Sequence, residues 1–260
     1  MIGAEDLLLQ RAQDLLARAE KGEITYTPFL TPGEQARLNR HLTKAMEGAV
    51  LWGGYAQAER QRIFFLPPYL TELEPELRAT CLAEFYAESV VALEIQGSGY
   101  RELSHRDFLG ALLHLGVERD RLGDVCVTAP DHAIFFCDRI LADFFLEHLE
   151  RVANDAVRLR YITLPTDFDG GRRFVPVSDT VASPRADAVV AALANLPRER
   201  AQSLFTEGKV EIDYELEERT DRTVLAGAVI VIRGYGKFII RSLSDKTRKG
   251  RYRLLADQYV

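Results

Sequence analysis

The chain has 260 residues and a formal net charge of −6; 47% of its residues are hydrophobic and 28% charged. Those are the proportions of an ordinary soluble globular protein, long enough for one large domain or two to three small ones. The acidic total excludes nucleic-acid binding driven by bulk charge, so charge has to be read locally. No apolar run approaches the roughly 18–20 residues of a membrane span.

In chain order, MIGAEDLLLQRAQDLLARAEKGE reads as an amphipathic helix with Leu7, Leu8, Leu15 and Leu16 on one face. It lacks the positive n-region and cleavage site of a signal peptide. TPGEQARL predicts a second helix, with Thr31 as cap, Pro32 in the first turn and Glu34 close behind. AVLW (Ala49 to Trp52) and QRIFFL (Gln61 to Leu66) read as strands around GGYAQAER. Pro67 and Pro68 mark a boundary. SVVALEI (Ser89 to Ile95) is strand-like. Ser104 and Asp107 then form a capping box for a helix whose buried stripe is Phe108, Leu109, Leu112 and Leu113 and which Gly116 can end. DVCVT and AIFFC are short strands joined at Pro130–Asp131. RILADFFLEHLERV (Arg139 to Val152) predicts a helix, and AVRLRYITL (Ala156 to Leu164) a strand.

The resulting order, β-α-β-β-α-β, is the ferredoxin-like arrangement that also underlies the RNA-recognition motif. HAIFFCDR lacks the aromatic signature that stacks bases, so Phe135 and Phe136 are expected in the core. TDFDGGRRF reads as a linker or hairpin tip. A third module starts near Ser183. Its first helix carries Ala186, Val189, Val190 and Leu193 at i, i+3, i+4 and i+7. Asn195 is a candidate cap for a second helix lined by Ala201, Leu204 and Phe205 and closed by Gly208. KVEID and AVIVIRGYGKFII are strand-like, the second broken at RGYGK, where Gly234 and Gly236 flank Tyr235.

Charge separates along the chain. Residues 181–260 hold 14 Lys plus Arg against 11 Asp plus Glu, and Ile230 to Arg253 alone carries +7. Phosphate backbones reward such clusters through counterion release. On the second helix of the third module, Arg198 and Gln202 fall at one edge of the apolar face and Arg200 beyond the other, clear of the core.

SPRADAVVAALANLPRERAQSLFTEGKVEID followed by LAGAVIVIRGYGKF resembles the ribosomal-protein-S-four-type, or alpha-L, RNA-binding domain. The shared pattern runs through Ser183, Arg185, Asp187, Arg198, Ala201, Gln202, Leu204, Gly208, Val210, Gly227, Ile230, Arg233, Gly234, Gly236, Lys237 and Phe238. Ala186, Pro197, Asp213 and Ala228 depart from it, and the charge of Asp213 is expected to weaken backbone contacts at its edge. FLTPGEQ, GGYAQAERQR and LSHRDFLGALLHLGVERDRLGDV extend the resemblance over the whole chain to the YlmH family. That resemblance implies a tripartite RNA-binding protein of the large ribosomal subunit carrying peptidyl-tRNA, linked to rescue of stalled ribosomes.

Enzymatic readings have little support. HRDFLG is similar to a kinase catalytic loop, but Leu112 stands where its Asn should be, and the other kinase motifs are absent. His41, His105, His114, His132 and His148 have no metal-ligand spacing, and Cys81, Cys126 and Cys137 form no CxxC pair, so no catalytic residue, metal or cofactor is expected. The cysteines fit reduced, buried thiols of a cytosolic protein.

The expectation is an α+β protein of three small modules. These are a helix-rich N-terminal α+β domain (1–80), a ferredoxin-like, RRM-like domain (81–165), a linker (166–180), the alpha-L domain (181–245) and a basic tail (246–260). It is expected to be a cytoplasmic, non-enzymatic monomer that binds rRNA and tRNA on the large subunit, without membrane contact. The expected RNA-binding residues are Arg185, Arg198, Arg200, Gln202, Lys209, Arg233, Tyr235, Lys237, Arg241, Lys246, Arg248, Lys249 and Arg251. The alternative is a protein-interaction scaffold for cell division or organelle assembly, with the acidic domains doing the work.

Overall fold

The computed structural model describes residues 4–42, 48–247 and 250–259. The chain divides into two units, Met1–Gly171 and Arg172–Val260, each mixing helix and strand in an α+β fold. No helix among the described residues is long and apolar enough to cross a membrane.

The first unit opens with helix α1 (Ala4–Ala19), strand β1 (Thr25–Tyr26), helix α2 (Pro32–His41) and strands β2 (Ala49–Trp52) and β3 (Arg62–Phe65). β3 lies between β1 and β2 in an antiparallel sheet. The predicted cap of α2 is present. Thr31 Oγ1 accepts from the Glu34 N–H at 3.3 Å, and the Glu34 carboxylate accepts from the Thr31 N–H at 2.7 Å. Two otherwise orphaned donors are thereby satisfied. Strand alternation sends Ile63 and Phe65 toward Ala12, Ala19 and Leu38. It sends Phe64 the other way, toward Leu70 and Leu82. Those leucines belong to helices α3 (Pro68–Thr71) and α4 (Pro75–Ser89).

Helix α4 corrects the sequence reading, because the expected 80/81 boundary falls inside it. Pro75 sits in its first turn, where a missing N–H costs nothing, so the proline starts a helix there. The helix runs directly into β4 (Val90–Gln96).

β4 is followed by α5 (His105–His114), β5 (Leu122–Ala129), β6 (His132–Asp138), α6 (Ala142–His148), a small hairpin of β7 (Arg151–Val152) and β8 (Asp155–Ala156), and β9 (Arg158–Tyr161). The sheet order is β5-β6-β4-β9 with antiparallel neighbours, the ferredoxin-like topology expected. The Ser104–Asp107 capping box is formed. The helix expected over Arg139 to Val152 is shorter: a 3-10 turn at Arg139–Leu141 precedes α6, which ends at His148. Beyond it the hairpin takes over, turning at Ala153 with φ +51.

One face of this sheet packs Leu93, Ile95 and Phe135 against Phe108 and Phe145 of the helices. The other face is also covered. Phe136, Cys126 and Ile134 meet Phe29, Tyr55 and Ala58 from the N-terminal segment, with Ile162 and Phe168 alongside. Phe136 stacks on Tyr55 at 5.0 Å. Gly54 comes so close that an added Cβ would lie 2.1 Å from Phe136 Cδ1.

Polar groups tie the same seam. The Asp124 carboxylate accepts from the Tyr55 hydroxyl at 2.7 Å and from the N–H groups of Glu59 and Arg60 at 2.8 and 2.9 Å. Arg60 donates to the carbonyls of Leu122 and Phe29, both at 3.0 Å. Arg62 is fully buried, paired to Asp138 at 3.0 Å and stacked on Tyr26 and Phe29. Phe135 and Phe136 are both fully buried, as expected. On the face where an RNA-recognition motif stacks bases, Phe136 is therefore taken up by the protein itself.

The second unit is one antiparallel sheet backed by two helices. Its elements are β10 (Phe174–Val181), α7 (Ala186–Leu193), α8 (Arg198–Thr206), β11 (Val210–Ile212), β12 (Glu215–Leu216), β13 (Val229–Ile232), β14 (Gly236–Lys246) and β15 (Tyr252–Tyr259), in sheet order β10-β15-β14-β13-β11-β12. Val189, Val190, Leu193, Ala201, Leu204 and Phe205 of the helices pack on Ile230, Ile232, Phe238, Ile240, Leu254 and Ala256 of the sheet.

Two expectations are corrected here. The linker at 166–180 and the basic tail at 246–260 each contain a long strand. β10 and β15 pair along their whole length, from Phe174↔Tyr259 to Val181↔Tyr252. Leu254 and Ala256 alternate inward into the core, which gives the basic segment an apolar reason to order. Asn195 does not cap α8 either. It turns with φ +53 after α7, and Pro197 occupies the cap position without a side-chain hydrogen bond.

Candidate nucleic-acid interface

Most of the expected RNA-binding residues lie in the second unit, and the structure sorts them onto two faces of one sheet. At the helix edge, Asp187 in the first turn of α7 is completely buried. Arg198, the first residue of α8, grips it with two nitrogens: Nε donates at 3.0 Å and Nη2 at 2.8 Å to Oδ2. Gln202, one turn later, donates at 2.9 Å, and Arg185 approaches at 3.4 Å. Burial alone would raise the Asp187 pKa. The hydrogen bonds from Gln202, Arg198 and Arg185 together outweigh it and hold the carboxyl below its ordinary range. Gln202 is thus spent inside the module, whereas Arg185 and Arg198 keep about half of their side chains exposed.

A second acid organises the other end of α8. Glu207 receives Arg200 at 2.5 Å and Lys209 at 2.7 Å. These bonds hold its pKa down, Lys209 contributing first and Arg200 next. Four cations therefore surround two carboxylates along this edge, which leaves an excess of two positive charges on an otherwise acidic chain.

The remaining cations project from the opposite face. Core-facing Ile230, Ile232, Phe238 and Ile240 alternate with outward residues, so Lys237 points away from the helices. Arg233 pairs with Glu211 at 3.0 Å and Arg241 with Asp257 at 2.7 Å. Tyr235 sits in the β13–β14 turn, its carbonyl accepting from Gln258. Arg251 donates to Thr180 and helps fasten the start of β15 to β10. Lys246 ends β14, while Arg248 and Lys249 lie outside the described residues. Arg185, Arg198, Arg200 and Lys209 are brought together, and Arg233, Lys237 and Arg241 are separated from them by the sheet.

Sequence reasoning missed the acids as organisers. It also missed the role of Asp213, whose charge was expected to weaken its edge. Asp213 Oδ2 accepts from Arg222 at 2.9 Å and Oδ1 from the Val229 N–H at 3.1 Å, so that charge is neutralised within the module. Arg222 also reaches buried Glu217 at 2.8 Å and orders the polar loop before β13. The alternation YRLLADQY was the one available signal for β15.

Comparison with known proteins settles the family. Residues 8–70 match the family model described as "YlmH, N-terminal", and residues 88–166 match "Putative RNA-binding domain in YlmH". A Bacillus subtilis (strain 168) protein named "Ribosome-associated protein quality control protein P2" is 30% identical over 236 residues, spanning 90% of this chain and 87% of its own length. The chain belongs to the YlmH family. Among solved structures, "Cell division protein ylmH from Streptococcus pneumoniae" is 20% identical, with a TM-score of 0.48 over 63% of this chain and 94% of that one. Within this YlmH-family chain, the described residues hold no group of three or more His, Cys, Asp or Glu able to bind a metal.

Proposed function

We propose that this YlmH-family chain is a non-enzymatic, cytoplasmic RNA-binding protein that docks on the large ribosomal subunit, meets rRNA and peptidyl-tRNA, and acts in the rescue of stalled ribosomes. The name of the Bacillus subtilis relative supports the ribosomal setting. The observation that carries the RNA reading is the helix edge of the second unit, where Arg185, Arg198, Arg200 and Lys209 outnumber Asp187 and Glu207 two to one. Its order of helix pair, short hairpin and GYGKF-bearing strand fits an alpha-L module, within which Arg200 and Lys209 are the phosphate-facing pair. RNA suits a helix pair gripping from outside, since its major groove is too deep and narrow to enter.

The test is co-sedimentation of the full chain with ribosomes at several salt concentrations, using Arg200→Glu with Lys209→Glu. Neither residue touches the core, so the fold should persist. Binding should fall sharply, and the slope of log affinity against log salt should drop by about 1.5 for two lost phosphate contacts. Wild-type co-sedimentation by this double variant would refute the assignment.

A further inference from the structure

The outward face of the second unit's sheet carries a row of aromatic rings and cations. Lys237 lies between two rings, its Nζ 4.6 Å from the centroid of Tyr259 and 5.2 Å from that of Tyr214. Tyr259 meets Phe174 edge to face at 4.9 Å, and the Arg241 guanidinium lies 5.6 Å from the Phe174 ring. Register explains the row. Phe174 on β10 is opposite Tyr259 on β15, and Lys237 on β14 is opposite Val231 on β13.

Tyr214 reaches the row from an unusual backbone position. It is the second residue of the two-residue turn between β11 and β12, where Asp213 has φ +55 and Tyr214 φ +66. Such turns favour Asn followed by Gly, because both central residues are left-handed. Aspartate tolerates that region, whereas a bulky aromatic residue there is an outlier. The strain comes with a placed ring, and backbone strain of this kind is a mark of functional positions.

We propose that this face is a base-stacking platform for single-stranded RNA. Tyr214, Tyr259 and Phe174 offer ring surface to unstacked bases, and Lys237, Arg241 and Arg233 meet the intervening phosphates. Rings interleaved with cations are the combination that binds single strands without reading sequence. A duplex, whose bases are already stacked, has no use for the rings. The proposal rests on the RNA-binding role above but names a second surface, on the other side of the sheet from the α7–α8 edge. Two such surfaces on one module would make the second contact intramolecular once the first has formed.

The test uses the full chain and a fluorescently labelled oligouridine as single-stranded probe. Tyr214→Gly and Tyr259→Ala are each expected to weaken binding about 5- to 150-fold, the range seen for loss of one stacked base. Their salt slopes should stay at the wild-type value, because no charge is removed. Lys237→Gln should instead lower the slope by about 0.7. Glycine suits the turn, so Tyr214→Gly should melt at or above the wild-type temperature, and Tyr214→Phe should retain wild-type binding. Oligouridine affinity within twofold of wild type in Tyr214→Gly and Tyr259→Ala would overturn the platform. If those variants bind normally while the Arg200/Lys209 variant loses ribosomes, the platform fails and the helix edge stands. If they lose oligouridine while the Arg200/Lys209 variant keeps ribosomes, the platform stands and the helix edge fails.

Discussion

Arg198 and Arg200 sit two residues apart on α8, and the structure separates their roles. Arg198 is the main partner of a carboxylate with no solvent access. Deleting one partner of a buried ion pair typically costs about 3–5 kcal/mol, because the other charge is left behind. Here Arg185 and Gln202 still reach Asp187, and the Arg198 side chain is 50% exposed, so water screens part of the pair. We therefore expect Arg198→Ala to destabilise the α7–α8 pair by about 2–3 kcal/mol. Since about 1.4 kcal/mol is tenfold in an equilibrium, amide exchange over residues 186–206 should accelerate by about 30- to 150-fold. Hydrogen exchange read by mass spectrometry localises the effect, which a global melt of a two-unit chain cannot. Arg200→Ala breaks only an exposed contact and should leave exchange in the same peptides within about threefold of wild type. Equal exchange in wild type and Arg198→Ala, or acceleration in Arg200→Ala alone, would refute the division of roles.

Two further outcomes follow from the packing and the titration of particular groups. Gly54→Ala places a methyl group against fully buried Phe136 at a residue with φ +105, so overpacking and strain together should cost about 2–4 kcal/mol; an unchanged urea midpoint for the first unit would show that the Gly54 loop does not pack on the sheet. Asp187 has a folded-state pKa below its unfolded one, so its contribution is complete above about pH 4 and is lost as the pH falls through the folded value. Exchange over residues 186–206 should accelerate more steeply with acid in the wild type than in Asp187→Asn, and parallel profiles would contradict the hydrogen-bonding scheme.

Local chemistry was legible from the residues. Thr31 with Glu34, and Ser104 with Asp107, announce two helix starts because a capping box is completed within four residues. The β-α-β-β-α-β order is likewise readable, since each of its elements has its own hydrophobic period. Pro75 shows the limit of such reading, because the same residue can end one segment or begin a helix, and only the packing of Leu82 decides which.

The cations of the second unit were also visible as residues, though not as surfaces. Arg198, Arg200, Lys237 and Arg241 can be picked out by type and spacing, yet whether two of them share a face depends on which side of the sheet the helices cover. The pairing of β10 with β15 joins segments more than seventy residues apart, so neither half reveals its partner, and polar, basic composition made both look like connectors. The middle sheet gives the same lesson: nothing near Phe136 in the chain indicates that Tyr55 will lie on it. Caps, periodicity and the inventory of charges are short-range properties and were present in the amino-acid order. Which ring is buried, which arginine is committed to a carboxylate and which face remains open are set by contacts between distant segments, and these exist only once the chain has folded.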